Sequence, residues 1–224
     1  MDNRLILPPY SVCELTKNAI GKVCSMLKAK YNEEFVVTMI GDRINTGHIK
    51  FFVHPETDKR ILFTAIIDRD GRLQDDYKIQ LILHRIKTKI EEEIIAVGIS
   101  GRANVSIPTP IYNEENRNYK LEDLVNAYNL ETISISIIIC GDANKRELYD
   151  VVAENRIRCN KAVCLYLLSN DSYDECCVLF DKYPYVSEAM ITSFSPIAEA
   201  IIKVTSEGTP SISFDEFCSI LEDS

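Results

Sequence analysis

Phe35-Val-Val-Thr-Met-Ile40, Ile49-Lys-Phe-Phe-Val53 and Ile61-Leu-Phe-Thr-Ala-Ile-Ile67 are three β-branched and aromatic runs separated by turn residues. Side chains of this kind fit a pleated, half-buried surface, so each run reads as a strand. Gly41-Asp42 closes the first run, and Asn45-Thr-Gly47 offers a short Gly-containing connection to the second. His54-Pro55 ends the second, because proline has no N–H to give to a ladder. Asp68-Arg-Asp-Gly71 is turn chemistry. Strands in series joined by short turns most simply form an antiparallel meander.

Beyond that turn the period changes. From Tyr77 the apolar residues fall at Ile79, Ile82, Leu83, Ile86, Ile90 and Ile94, spacings of three and four that gather them on one helical face. Asp75 and Asp76 stand where an N-cap is wanted and oppose the positive end of the helix dipole. Upstream, Ser11-Val-Cys-Glu14 has the capping-box pattern, and apolar residues at helical spacing follow it to about Tyr31. Residues 1–98 therefore read as an α-β-β-β-α domain. Gly98, Gly101, Pro108, Pro110 and the polar Asn113–Asn118 run make 99–118 a linker, with Ala103–Ile107 as a short strand inside it.

Residues 119–224 read as a compact α/β domain of alternating strands and helices, so the fold class is mixed α+β and α/β. Leu121–Tyr128 is helical by period. Ile133–Cys140 and Ala162–Leu168 are apolar enough to be buried on both faces, with some parallel pairing. Glu147–Ile157 is a helix between them. Ser172-Tyr-Asp-Glu175 and Ser213-Phe-Asp-Glu216 are further capping boxes. Ala189–Thr192 reads as a short strand, and Ser195-Pro196 as a cap with proline at the first position of a helix reaching Val204.

A net charge of −9 argues against a general nucleic-acid binder, since phosphate contacts need a Lys/Arg surface. No apolar run reaches the length of a membrane span, and the N-terminal residues lack the layout of a secretory signal. The expected compartment is the cytoplasm, where the eight cysteines stay reduced and pack as small hydrophobes.

Chemistry is thinly signalled. In Ile137-Ile-Ile-Cys-Gly-Asp-Ala-Asn-Lys-Arg146 a buried strand runs into a turn and a helix. That arrangement could bind an anion through Gly141, Asp142, Asn144, Lys145 and Arg146. The pattern is neither a phosphate loop nor a dinucleotide fingerprint, and an ordinary turn with Asp142 or Asn144 as cap is the stronger reading. Asp68, Asp70, Asp75 and Asp76 lack the spacing of a calcium loop. His48, His54 and His84 show no ligand spacing, and Cys159, Cys164, Cys176 and Cys177 are a weak thiolate set. No cofactor is called for. Tyr183-Pro-Tyr185 is the part of a tyrosine-rich second half most suited to a partner. The expectation is a non-enzymatic interaction or accessory protein binding another protein, or itself, through its sheet or its tyrosines. The alternative is a small-molecule or nucleotide-handling enzyme with its ligand at Gly141–Arg146.

Overall fold

The three apolar runs are neighbouring antiparallel strands in the computed structural model, which describes residues 9–41, 47–107, 112, 133–141, 143–153, 160–183 and 186–222. The chain divides into two compact units. The first holds the described residues up to Gln80 together with Tyr112; the second holds those from Leu81 to Ile107 and from Ile133 onward.

In the first unit, helix α1 (Pro9–Tyr31) precedes strands β1 (Phe35–Ile40), β2 (His48–Pro55), β3 (Phe63–Asp68) and β4 (Leu73–Asp75). The sheet order is β1-β2-β3-β4, antiparallel throughout. The turn at Asp68 closes with Gly71 N–H donating to the Asp68 carbonyl at 3.1 Å, and Gly71 takes a φ of 80° that a side chain would resist. It leads into β4, a strand of three residues, too short to show a period. Along β3 every second residue, Phe63, Ala65 and Ile67, is buried, as a one-sided sheet demands. Val23, Leu27 and Tyr31 recur every four residues on α1 and are buried too. That helix already includes Pro9, so the expected cap at Ser11 lies inside its first turn. It is followed by Asn32, whose N–H still donates to the Lys28 carbonyl at 2.8 Å and whose left-handed φ of 57° turns the chain out of the helix.

Helix α2 (Tyr77–Ala96) runs over the expected residues, and the division between the units falls inside it, after Gln80. Tyr77 is buried against Tyr31, Phe35 and Phe63, with ring centroids 4.9–5.2 Å away. Ile94 belongs to the core of the second unit. Within the stretch read as a linker, Gly101–Ser106 is a full strand, β5, paired along its whole length with β6. The sheet ladder there outweighs the glycine signal. Gly101 is needed for close approach, because a Cβ would stand 2.8 Å from Ile94 Cγ2.

The second unit is a mixed sheet of order β5-β6-β7-β8. Strand β6 (Ile133–Cys140) is antiparallel to β5 and parallel to β7 (Lys161–Leu168); β8 (Ala198–Val204) is antiparallel to β7. Helix α3 (Lys145–Ala153) lies in the β6–β7 crossover, followed later by α4 (Asn170–Lys182), α5 (Glu188–Thr192) and α6 (Phe214–Glu222). One face of the sheet packs Ile135, Ile137 and Ala200 with Leu148 of α3 and Phe217 of α6. The other packs Ile138, Cys164 and Tyr166 with Phe180 of α4 and Ile191 of α5. The central strands are thus buried on both faces, as their uninterrupted apolar runs required.

Two expected elements are exchanged. Residues 188–192 are helical, capped by Ser187, whose Oγ accepts from Met190 N–H at 3.3 Å. Residues 198–204 are a strand: Ala198, Ala200, Ile202 and Val204 point into the core while Glu199, Ile201 and Lys203 are exposed. That alternation prevails over the Ser-Pro helix-start signal, and Ser195, at φ 52°, turns the chain into the strand. Ser169, not Ser172, caps α4 by accepting from Ser172 N–H. The Ser213–Glu216 box forms in both directions: Ser213 N–H donates to Glu216 Oε2 at 2.7 Å and Glu216 N–H to Ser213 Oγ at 3.3 Å. The helix expected at Leu121–Tyr128 lies outside the described residues.

Candidate interaction surface

The turn after β6 puts the expected anion-binding residues at the carboxyl end of the parallel pair β6–β7. Helices α3 and α4 start there and run to opposite faces of the sheet. In α/β sheets that is where crevices for ligands open. The polar groups of this turn are engaged within the protein. Asn144 Oδ1 accepts from Arg146 N–H at 3.0 Å and Glu147 N–H at 3.4 Å, capping α3. Lys145 Nζ pairs with Glu222 at 2.7 Å; Arg146 Nε pairs with Asp150 at 3.2 Å, its guanidinium 4.7 Å from the centre of the Phe214 ring. Gly141 follows β6 closely enough that a Cβ would stand 3.4 Å from the Leu168 carbonyl oxygen. Asp142 lies outside the described residues.

The thiols are separated by burial. Cys164 of β7 and Cys176 of α4 sit in the same buried core, and burial pushes both up to about 11. Cys177 is half-buried and also raised by burial, which the Tyr173 hydroxyl and Arg102 partly offset. Cys159 lies outside the described residues. Among the described residues no three His, Cys, Asp or Glu side chains gather as metal ligands.

Of Asp68, Asp70, Asp75 and Asp76, the last two are buried and satisfied. Asp75 accepts from Lys30 Nζ at 2.8 Å, Tyr31 O–H at 2.6 Å and Tyr77 N–H at 3.1 Å. Asp76 accepts from Thr64 N–H at 2.6 Å and Gln80 Nε2 at 3.0 Å. Desolvation nevertheless pushes its carboxyl up to about 6, the Gln80 and Thr64 hydrogen bonds opposing and the Asp75 charge adding to it. Asp68 closes its own turn by accepting from Arg72 N–H at 2.8 Å.

The tyrosines turn mostly inward. Tyr166 is fully buried, and Tyr149 stacks against Phe214 and Phe217 while its O–H donates to the Ile212 carbonyl. Tyr183 is exposed, and Tyr185 lies outside the described residues.

Among the described residues, what remains open is a sheet edge. Among the four edges, β1 is blunted by a bulge between Val37 and Met39, β4 is three residues long and β5 has no exposed residue. Strand β8 is different. Its solvent face carries Glu199, Ile201 and Lys203, with Ile201 53% and the preceding Ile197 48% exposed. Among the described residues its outer edge is covered only at its end: Ser211 N–H donates to the Lys203 carbonyl at 2.7 Å, Lys203 N–H to Ser211 Oγ at 3.0 Å, and Thr205 N–H to the Thr209 carbonyl at 3.0 Å. Beside that covered end lies a cavity of ≈ 460 Å³, bordered by Lys161, Lys203, Thr205 and Ser211. Reading 195–204 as a helix hid this edge. The alternation from Ala198 to Val204 was the signal that could have revealed it.

No protein-family model matches the chain, and no curated protein does. Its fold is similar to a crystal structure described as a DUF5037 family protein from Ruminococcus gnavus ATCC 29149, with a TM-score of 0.70 at 14% identity. The likeness spans 92% of this chain and all of that one. Among the described residues no helix is long and apolar enough to cross a membrane.

Proposed function

We propose that this is a non-enzymatic interaction or accessory protein that binds another polypeptide by strand addition to β8. The observation that carries the reading is the open outer edge of β8 beside an exposed isoleucine. An extended partner gains ladder hydrogen bonds from such an edge and specificity from its alternate side chains. A cytoplasmic setting fits the free cysteines among the described residues. Extended peptides selected from a display library against the full chain should bind at β8 and lose at least about tenfold in affinity with Ile201→Lys. Selected peptides that bind Ile201→Lys as tightly as the parent would overturn the reading.

The second reading, a small-molecule or nucleotide-handling enzyme with an anion site at Gly141–Arg146, draws on the turn's position at the carboxyl edge of β6 and β7. It requires Lys145 and Arg146 to leave Glu222 and Asp150. Replacing both with alanine should then abolish binding of a phosphorylated ligand such as ATP. Unchanged ATP affinity in the double variant would remove it.

A further inference from the structure

Backbone groups in a strand alternate between its two sides. Lys203 and Thr205 turn theirs to the outer side, where Ser211 and Thr209 meet them, so Ile201 and Glu199 turn theirs the same way. Those of Glu199 and Ile201 have no partner among the described residues. A strand added here can therefore bond only these two residues, since the next position, Lys203, is taken.

We infer that the occupant of this edge is a second copy of the same chain, its β8 pairing antiparallel about a two-fold axis at Ala200. This rests on the docking reading above and names the partner. The register follows from which groups are free. Glu199 exchanges both of its hydrogen bonds with the partner's Ile201, and Ile201 does the same with the partner's Glu199, which uses every free outer group of both copies. On the exposed face Ile201 then lies diagonally beside the partner's Ile201, and Glu199 diagonally beside the partner's Lys203, within reach of such side chains. The two ion pairs flank the two isoleucines symmetrically, as a self-complementary interface requires. Shifting the two-fold axis to Ile201 would demand the Lys203 groups that Ser211 already holds. The ends agree as well. The partner's Pro196 stands opposite Val204, so the partner chain turns away at its Ser195 just where Thr209–Ser211 begin to cover β8.

An interface of one short strand is small, so the dimer forms and dissociates with concentration. Sedimentation equilibrium of the full chain, from about micromolar to about millimolar concentration, should show a monomer–dimer equilibrium. Ile201→Lys should remain monomeric with an unchanged circular-dichroism spectrum. Glu199→Lys and Lys203→Glu should each weaken the dimer about tenfold, and the double variant should recover to within about threefold of the parent. A parent that stays monomeric throughout, a dimer indifferent to Ile201→Lys, or a double variant no better than the singles would each overturn the proposal. A monomeric parent whose β8 still captures extended peptides overturns this pairing alone. Peptides that ignore Ile201→Lys remove the docking reading with it.

Discussion

Asp76 is the residue on which acid chemistry bears most directly. Its side chain is almost fully buried, and burial lifts its carboxyl from 3.8 to about 6 in the folded chain. Folding thus favours the protonated form, and the folded state holds a proton that the unfolded chain has released. The stabilisation is fully present below the unfolded value and is lost as pH rises through about 6, at most about 3 kcal/mol for this displacement. Asp76→Asn keeps an oxygen for Thr64 N–H and cannot ionise. Urea unfolding at a series of pH values should show a flatter stability profile between about 4 and 6 than the parent's. Asp75 is also buried, and it accepts from Lys30 and Tyr31. Asp75→Ala leaves the ammonium without that carboxylate and should cost about 3–5 kcal/mol in the same assay. The thiols Cys164 and Cys176, held near 11 by burial, should react with a disulfide reagent only after denaturation.

At the scale of elements, helix starts were placed by their capping residues only where no competing cap lay close by. Ser213 and Glu216 satisfy each other, and α6 begins where the pair indicates. Ser172 had the same spacing to Glu175, but Ser169 stands one turn earlier and takes the Ser172 amide as its own partner. Ser169→Ala should therefore lower stability by about 1 kcal/mol, whereas Ser172→Ala should stay within about 0.5 kcal/mol. Thermal unfolding of the two variants separates the assignments. For β8, the local Ser-Pro signal lost to a period of two that buries Ala198, Ala200, Ile202 and Val204 together. The same alternation leaves Glu199, Ile201 and Lys203 on the solvent side, which is what makes the strand a candidate for docking.

Across the whole molecule, charge and fold carry different information. A net charge of −9 gives little attraction for phosphate backbones, so random duplex DNA should not be shifted in a gel by this protein at about 0.15 M salt. A retained complex would mean that a local basic patch overrides the net balance. The likeness to the Ruminococcus gnavus structure, at 14% identity, shows that this fold is reached by a very different sequence. A shared fold at such identity speaks to architecture, and function has to be argued from the site residues themselves.

The sequence by itself determined the strands of the meander, the long helix after them, the doubly buried β6 and β7 and the terminal capping box. Each depends on a period or a cap that neighbouring residues already contain. Tertiary structure alone decided three things: that the strand inside the expected linker is paired along its whole length with β6, that Lys145 finds Glu222, and that β8 lies at a sheet edge left open among the described residues. These outcomes turn on which strand lies beside which and which face finds a core. Pairings between residues far apart in the chain settle that, and no local window of sequence contains them.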